Sequence, residues 1–308
     1  MQLGAVTAVC VDTRDLNLAL LAAERMAAAG VGRVVLITDE AGAAYVAPRN
    51  AWGVEIVRSP TLADMDAYND LILKDLGRLA PAEFLLVFQW DGFILNAADW
   101  WPGYLDYDFI GAPWPEYMAS PQSVVGNGGF SLRSRRLIEA VWTLPPRPPN
   151  FPEDRFIVDN LPLLASQGVK IAPPEIARHF SVEHHPPHPM AHPERLATRM
   201  STFGFHGWFN MYMGLSDAAL LRLIDEVMTA AQRERILISS ETTWLVAYML
   251  AAGRKAGVAE IADRIERVLG SALDRADPLY LQNVIDLIVK RRGLTRHYPD
   301  QSPTEPVA

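Results

Sequence analysis

Four short apolar runs, separated by stretches of helical periodicity, constrain this chain more than any other feature. "AVTAVCV" (5–11), "RVVLIT" (33–38), "GVEIV" (53–57) and "EFLLVFQ" (83–89) are strand-length, and the longest is far below the ~20 residues of a membrane helix. Between them, "LNLALLAAERMAAAG" (16–30) reads as a helix stopped by Gly30, and residues 62–79 as a second helix. A strand that is apolar throughout, rather than at alternate positions, is buried on both faces. The pattern therefore predicts an α/β domain with a mostly parallel, Rossmann-like sheet covered on both sides.

With 308 residues, half of them hydrophobic, the chain can bury a large core and hold a second, smaller domain. A net charge of −8 argues against a nucleic-acid surface. Cys10, the single cysteine, excludes disulfides and cysteine-based zinc sites within the chain, and its apolar surroundings predict a buried, inert thiol. No signal sequence or transmembrane segment is apparent, so the expected location is cytoplasmic, including the inner face of the membrane.

The middle of the chain is rich in Gly, Pro and Trp. "YDFIGAPW", "GNGGFSLRS" and "KIAPPEIARHFSVE" read as brief strands and tight turns, "LPPRPPNFP" (144–152) as a stiff, non-helical connector, and "HHPPHPMAHPE" (184–194) as a solvated loop. From Ser216 the pattern is helical, beginning with "SDAALLRLIDEVMTAAQ". It carries no catalytic constellation, and a packing or homo-oligomer-forming role is expected there.

Ligands of open α/β sheets bind beyond the carboxyl ends of the strands. The first run ends in Asp12-Thr13-Arg14-Asp15, which either meets a nucleotide or caps the next helix. The fourth ends in Gln89-Trp90-Asp91-Gly92, where Asp91 is either a turn cap or a working carboxylate. Asn127, Gly128 and Gly129 offer close backbone approach and an amide suited to sugar hydroxyls; they equally suit a tight turn. Trp114 and Tyr117 could stack on a sugar ring or belong to the core. Glu153-Asp154 opens a helical pattern, where a helix dipole favours carboxylates and is expected to lower the carboxylate pKa.

The ordered set "VFQWDGFILN", "DYDFIGAPWPEYM", "VGNGGFSLRSR", "PEDRF", "APPEIARHFSVE" and "FGFHGWFN" resembles a family long catalogued as a domain of unknown function and classed with glycosyltransferases of the GT-A fold. The likeness spans roughly residues 60–210. Together with the strand and helix pattern it implies a catalytic domain over residues 1–212; the helical pattern alone, outside the likeness, sets a helical region over 213–296 and a loose tail over 297–308. The likeness implies transfer of a sugar, with inversion, from a nucleotide-sugar (a UDP-sugar foremost) to a glycan or lipid-linked acceptor hydroxyl. In this resemblance Asp91 and His206 hold Mn²⁺ or Mg²⁺. Gln89, Trp90, Asn127, Gly128 and Gly129 are expected to meet the donor, joined by Asp12, Thr13 and Arg14, which lie outside the likeness and are read from their place at the first strand end. Trp114 and Tyr117 meet the acceptor, Asp154 is the general base, and Glu153 lies nearer the acceptor. A non-catalytic nucleotide-sugar- or glycan-binding protein is the alternative from another class. A sugar nucleotidyltransferase is a further one, which the glycine-free "VDTRDL" disfavours, and a glycoside hydrolase would also use paired carboxylates.

Overall fold

The computed structural model describes residues 2–183, 202–215, 219 and 222–236. The chain divides into two compact units, residues 1–184 with 201–208, and residues 185–200 with 209–308.

The first unit is built on a six-stranded sheet. Its strands are β1 (Thr7–Val11), β2 (Arg33–Thr38), β3 (Glu55–Arg58), β4 (Phe84–Phe88), β5 (Phe109–Ile110) and β6 (Phe130–Ser134), in the order β3-β2-β1-β4-β6-β5. β1 pairs in parallel with β2 and β4, and β2 with β3, while β6 runs antiparallel to β4 and β5. The fold is thus α/β with a mostly parallel sheet. A separate two-stranded sheet joins β7 (Ser181–Val182) to β8 (Gly204–Phe205) in parallel.

Both sheet faces are covered. Val9, Val11, Val35, Ile37, Leu85 and Val87 pack on one face against Leu71, Ile72, Leu76 and Ile138. Their opposite-facing neighbours Ala8, Cys10, Leu36, Leu86 and Phe88 are equally buried. That is why these strands carry no alternation. α1 (Leu16–Ala28) ends just before Gly30, whose φ of +85° takes the chain out of the helix. The expected helix over 62–79 starts at α3 (Met65–Asp70), because the Asp64 carboxylate accepts from the Ala67 N–H at 2.9 Å. It runs through a π-helical turn, Leu71–Asp75, into α4 (Leu76–Leu79).

α2 (Glu40–Val46), capped by Asp39, and α5 (Arg135–Val141), capped by Ser134, follow directly on strands; neither was expected from the sequence. α6 (Glu153–Asp159) and α7 (Leu161–Ser166) follow the proline-rich connector. That connector is non-helical as expected, and the buried Arg147 ties it down by donating to Asp70 Oδ1 and to the Asp66 and Phe151 carbonyls. One expectation fails: "KIAPPEIARHFSVE" contains a helix, α8 (Pro174–Phe180), rather than only strands and turns. Pro174 occupies its first position, where a missing N–H costs nothing.

In the second unit the described residues form a π-helical turn, Leu223–Val227, and a helix, Ala230–Ile236. The single helix expected here is broken at Met228. Thr229 and Gln232 form a reciprocal cap: the Gln232 N–H donates to Thr229 Oγ1 at 3.2 Å and the Thr229 N–H to Gln232 Oε1 at 2.9 Å. The rest of the expected helical region, the histidine-rich loop 184–194 and the tail lie outside the described residues.

Candidate active site

The strand order reverses between β1 and β4, the place where α/β sheets open a crevice beyond their carboxyl ends. Asp12 leaves β1 there and Gln89-Trp90-Asp91 leaves β4. Burial pushes the Cys10 thiol well up, and Asp12 and Asp91 both add to the rise, so the two carboxylates lie close to the same strand end.

Asp91 is held on one side only. Its Oδ2 accepts from the Trp208 N–H at 3.1 Å, whereas Oδ1 is buried without a hydrogen-bond partner among the described residues, 3.5 Å from His206 Nε2. Gly92 explains the bend after it: a Cβ there would stand 2.8 Å from the Phe205 carbonyl oxygen and 3.4 Å from the His206 Cα. Only glycine lets β8 bring His206 so close. Gly129 serves the same end from the opposite side, since a Cβ on it would collide with the imidazole.

His206 is contacted on both ring nitrogens. Nε2 lies 3.1 Å from Gln89 Oε1, and Nδ1 lies 2.8 Å from Glu183 Oε1 and 3.1 Å from the Asn127 amide. Gln89 is oriented by donating through Nε2 to the hydroxyl of the partly buried Tyr68 at 2.9 Å. Burial opposes the charge on His206, but the Asp91 and Glu183 carboxylates outweigh it and push its pKa well up. Glu183 was quoted within a motif but given no role by sequence reasoning; its position beside a histidine is the one signal that could have singled it out.

Among the described residues no group of three or more His, Cys, Asp or Glu side chains is placed to hold a metal ion. A site of two such residues, Asp91 and His206, with the Gln89 amide oxygen beside them, fits a divalent cation that draws its remaining oxygens from a phosphate ligand. The orphaned Asp91 Oδ1 is the observation that favours this fit.

Across the Asn127–Gly129 loop stands Asp154, in the first turn of α6. Asp154 Oδ2 accepts from the Gly128 N–H at 2.8 Å, and Oδ1 from the Arg155 N–H at 2.7 Å. The helix start was expected to lower its pKa, and these two donors act in the same direction. The structure reverses the sign: burial and the neighbouring Glu153 charge win, and the carboxyl is pushed up to about 6.

Three expectations need correction. Glu153 does not face an acceptor; it is 4% exposed, and both its oxygens accept from the buried Arg133, at 2.8 and 2.7 Å. Freeing it would strand a buried guanidinium, at a cost of about 3–5 kcal/mol, so it is a structural anion. Trp114 belongs to the core with Leu73, Phe109 and Phe156, over Gly126, where a Cβ would collide with the indole. Asn127 is buried with φ of +56° and turns its amide toward His206, so it shapes the loop and orients the ring rather than meeting a sugar directly. Tyr117, by contrast, is 83% exposed on a short turn anchored to α6 by Arg155, which donates to the Met118 carbonyl. Asp12 caps the entry to α1: Oδ1 accepts from the Arg14 and Asp15 N–H groups, both at 2.7 Å. Arg14 is exposed and pairs with Asp15 at 3.3 Å, and Thr13 and Trp90 are half-buried.

No curated protein matches the chain. Among solved structures, a glycosyltransferase involved in glycosylation of the major capsid of PBCV-1 has a TM-score of 0.40 and 11% identity, over 66% of this chain and 92% of that one. The galactosyltransferase LgtC, in complex with donor and acceptor sugar analogs, has a TM-score of 0.40 and 17% identity, over 65% and 86%. The sequence family described as "Protein of unknown function (DUF5672)" matches residues 51–206, which carry β3 through β8 and every site residue except those after β1, and the chain belongs to that family.

Proposed function

We propose that the first unit is a GT-A-type glycosyltransferase that moves a sugar, with inversion, from a nucleotide-sugar to an acceptor hydroxyl. The observation that carries this reading is the pairing of two unlike carboxylates on either side of one glycine loop: Asp91, with a buried oxygen that faces His206 and could take a cation, and Asp154, with a pKa pushed up to about 6. The motif resemblance set out above supports the same assignment.

In this reading Asp91 and His206 hold Mn²⁺ or Mg²⁺, which when bound neutralises charge on the departing diphosphate. His206 would serve as a ligand only as the neutral ring, and Glu183 would keep that ring oriented through Nδ1. Asp154 accepts the acceptor proton as the hydroxyl attacks the anomeric carbon. A base with a pKa of about 6 is mostly ionised at pH 7 yet still basic enough to contribute. Tyr117 offers an exposed ring on which a sugar acceptor can stack.

Calorimetry of UDP and a panel of nucleotide-sugars, with Mn²⁺ and with EDTA, tests the reading. Binding of a nucleoside diphosphate that requires the cation supports it. Equal affinity in EDTA removes the metal, and no affinity for any nucleotide removes the donor site. Binding without release of the nucleoside diphosphate in the presence of acceptor glycans would favour the non-catalytic alternative.

A further inference from the structure

A buried ion pair stands directly behind the Asp154 carboxylate, and stability gives it little reason to be there. Apolar side chains of similar volume commonly hold a fold as well as a buried salt bridge does, or better. Geometry supplies another reason. Arg133, on β6, donates to both Glu153 oxygens, and its Nη2 also reaches the Gly128 carbonyl at 3.4 Å. Ser131 Oγ donates to the same carbonyl at 3.0 Å and accepts from Arg133 Nε at 3.0 Å. Gly128 is therefore gripped through its carbonyl, while its N–H donates to Asp154 Oδ2 at 2.8 Å. No side chain fits at residue 128, because a Cβ would collide with Glu153 Oε1. The Glu153 N–H, finally, donates to Asn69 Oδ1 at 3.2 Å, which ties the first turn of α6 to α3.

We infer that Arg133 and Glu153 are positioning residues for the Asp154 carboxylate, acting through Gly128 and through the first turn of α6. The catalytic meaning of this arrangement rests on Asp154 being the base; the effect on the carboxylate does not. The charged and titratable groups around Asp154 come from three elements. Glu153 and Arg155 lie on α6, Arg133 comes from β6, and the partly buried Tyr68 on α3 lies within the field of Glu153 and Arg133. Arg155 is directed to Asp159, donating through Nε at 2.8 Å. The Glu153 charge raises the Asp154 pKa and the Arg133 charge lowers it, so neutralising Glu153 alone leaves the lowering charge unopposed.

The test is direct titration of Asp154 in the full chain. Its side-chain carboxyl ¹³C resonance, assigned by its loss in Asp154→Asn, is followed against pH together with the Gly128 amide. In the wild type both report one midpoint, near 6. In Glu153→Gln the midpoint falls by about one pH unit or more. In the double variant Arg133→Met with Glu153→Met, which keeps an apolar pair of similar size, the Gly128 amide no longer follows Asp154. An unchanged midpoint in Glu153→Gln overturns the inference, as does a Gly128 amide that still tracks Asp154 in the double variant. If Glu153→Gln fails to fold, the double variant decides alone. Neither readout needs a substrate, so an inactive wild type showing both effects refutes the general-base reading and leaves the positioning roles standing.

Discussion

Asp12 and Asp91 occupy matching places: each follows a buried parallel strand, the strands are neighbours, and both carboxylates act on Cys10. Their surroundings differ in kind. Asp12 Oδ1 accepts two backbone N–H groups and so opens the turn into α1. Asp91 satisfies one oxygen with the Trp208 N–H and leaves the other buried, facing an imidazole. A buried carboxylate oxygen that faces an imidazole at 3.5 Å is only partly compensated, and a closer partner would stabilise it. The lesson is that a strand-end aspartate is classed by where its second oxygen goes, not by its place in the sequence.

Asp154 puts that rule under the greatest strain. Both its oxygens accept backbone N–H groups, so by hydrogen bonds alone it is a cap like Asp12, yet its pKa is pushed up to about 6. If the pKa is the better guide, Asp154→Asn lowers kcat by about 10²- to 10⁴-fold and leaves UDP affinity nearly intact. The wild-type kcat/KM should also lose activity as pH falls through about 6, where Asp154 takes up its proton. Stability runs the other way. A carboxyl with a raised folded-state pKa contributes stability fully below its unfolded value near 4, and loses that contribution as pH rises through about 6. Relative to Asp154→Asn, the wild type should therefore gain stability between pH 7 and pH 4. Near-normal turnover in Asp154→Asn would return the residue to the caps.

Asp91→Asn attacks the comparison from its other end. The substitution keeps the shape and the acceptor for Trp208, and removes the charge from an oxygen that faces His206 Nε2 at 3.5 Å. Mn²⁺-dependent UDP binding should weaken about tenfold or more, with little change in Tm. His206→Ala should show the same loss, and Glu183→Gln a smaller one, since Glu183 meets the ring at Nδ1, the nitrogen away from Asp91. A Tm that drops in Asp91→Asn while UDP binding stays unchanged would make Asp91 a second Asp12.

How far these differences could be read from sequence depends on how local their causes are. β1 to β4 and α1 were legible because burial on both faces writes itself as unbroken apolar runs. α2 and α5 were not, although Asp39 and Ser134 are ordinary caps, because one or two turns present too few residues to show a periodicity. At the site, Asp91, His206 and Asp154 were named as candidates from the ordered motifs. The structural role of Glu153 was out of reach, since it hangs on Arg133, twenty residues earlier, pointing inward from β6. A lone arginine in the strand "FSLRS" was the available hint that a buried anion would be needed. The sign of the Asp154 pKa was misjudged for the same reason: the helix start is local, whereas burial and the Glu153 field are tertiary.

The smallest expected effect belongs to Asp12, and it separates the two strand ends most cleanly. Asp12→Ala removes an acceptor for two N–H groups at the entry to α1, so it should cost about 1 kcal/mol, within a range of roughly 0.5–2. Asp12→Asn keeps a side-chain oxygen in place and should cost much less, because the cap needs an acceptor rather than a charge. Burial raises the Asp12 pKa despite the two donors, which again indicates that the negative charge is tolerated there rather than required. UDP binding with Mn²⁺ should be the same in both variants as in the wild type. Denaturant unfolding measures the first effect and calorimetry the second. Should Asp12→Asn lose nucleotide affinity while unfolding at the wild-type midpoint, the end of β1 would carry ligand as the end of β4 does, and the division between cap and working carboxylate would not hold for this sheet.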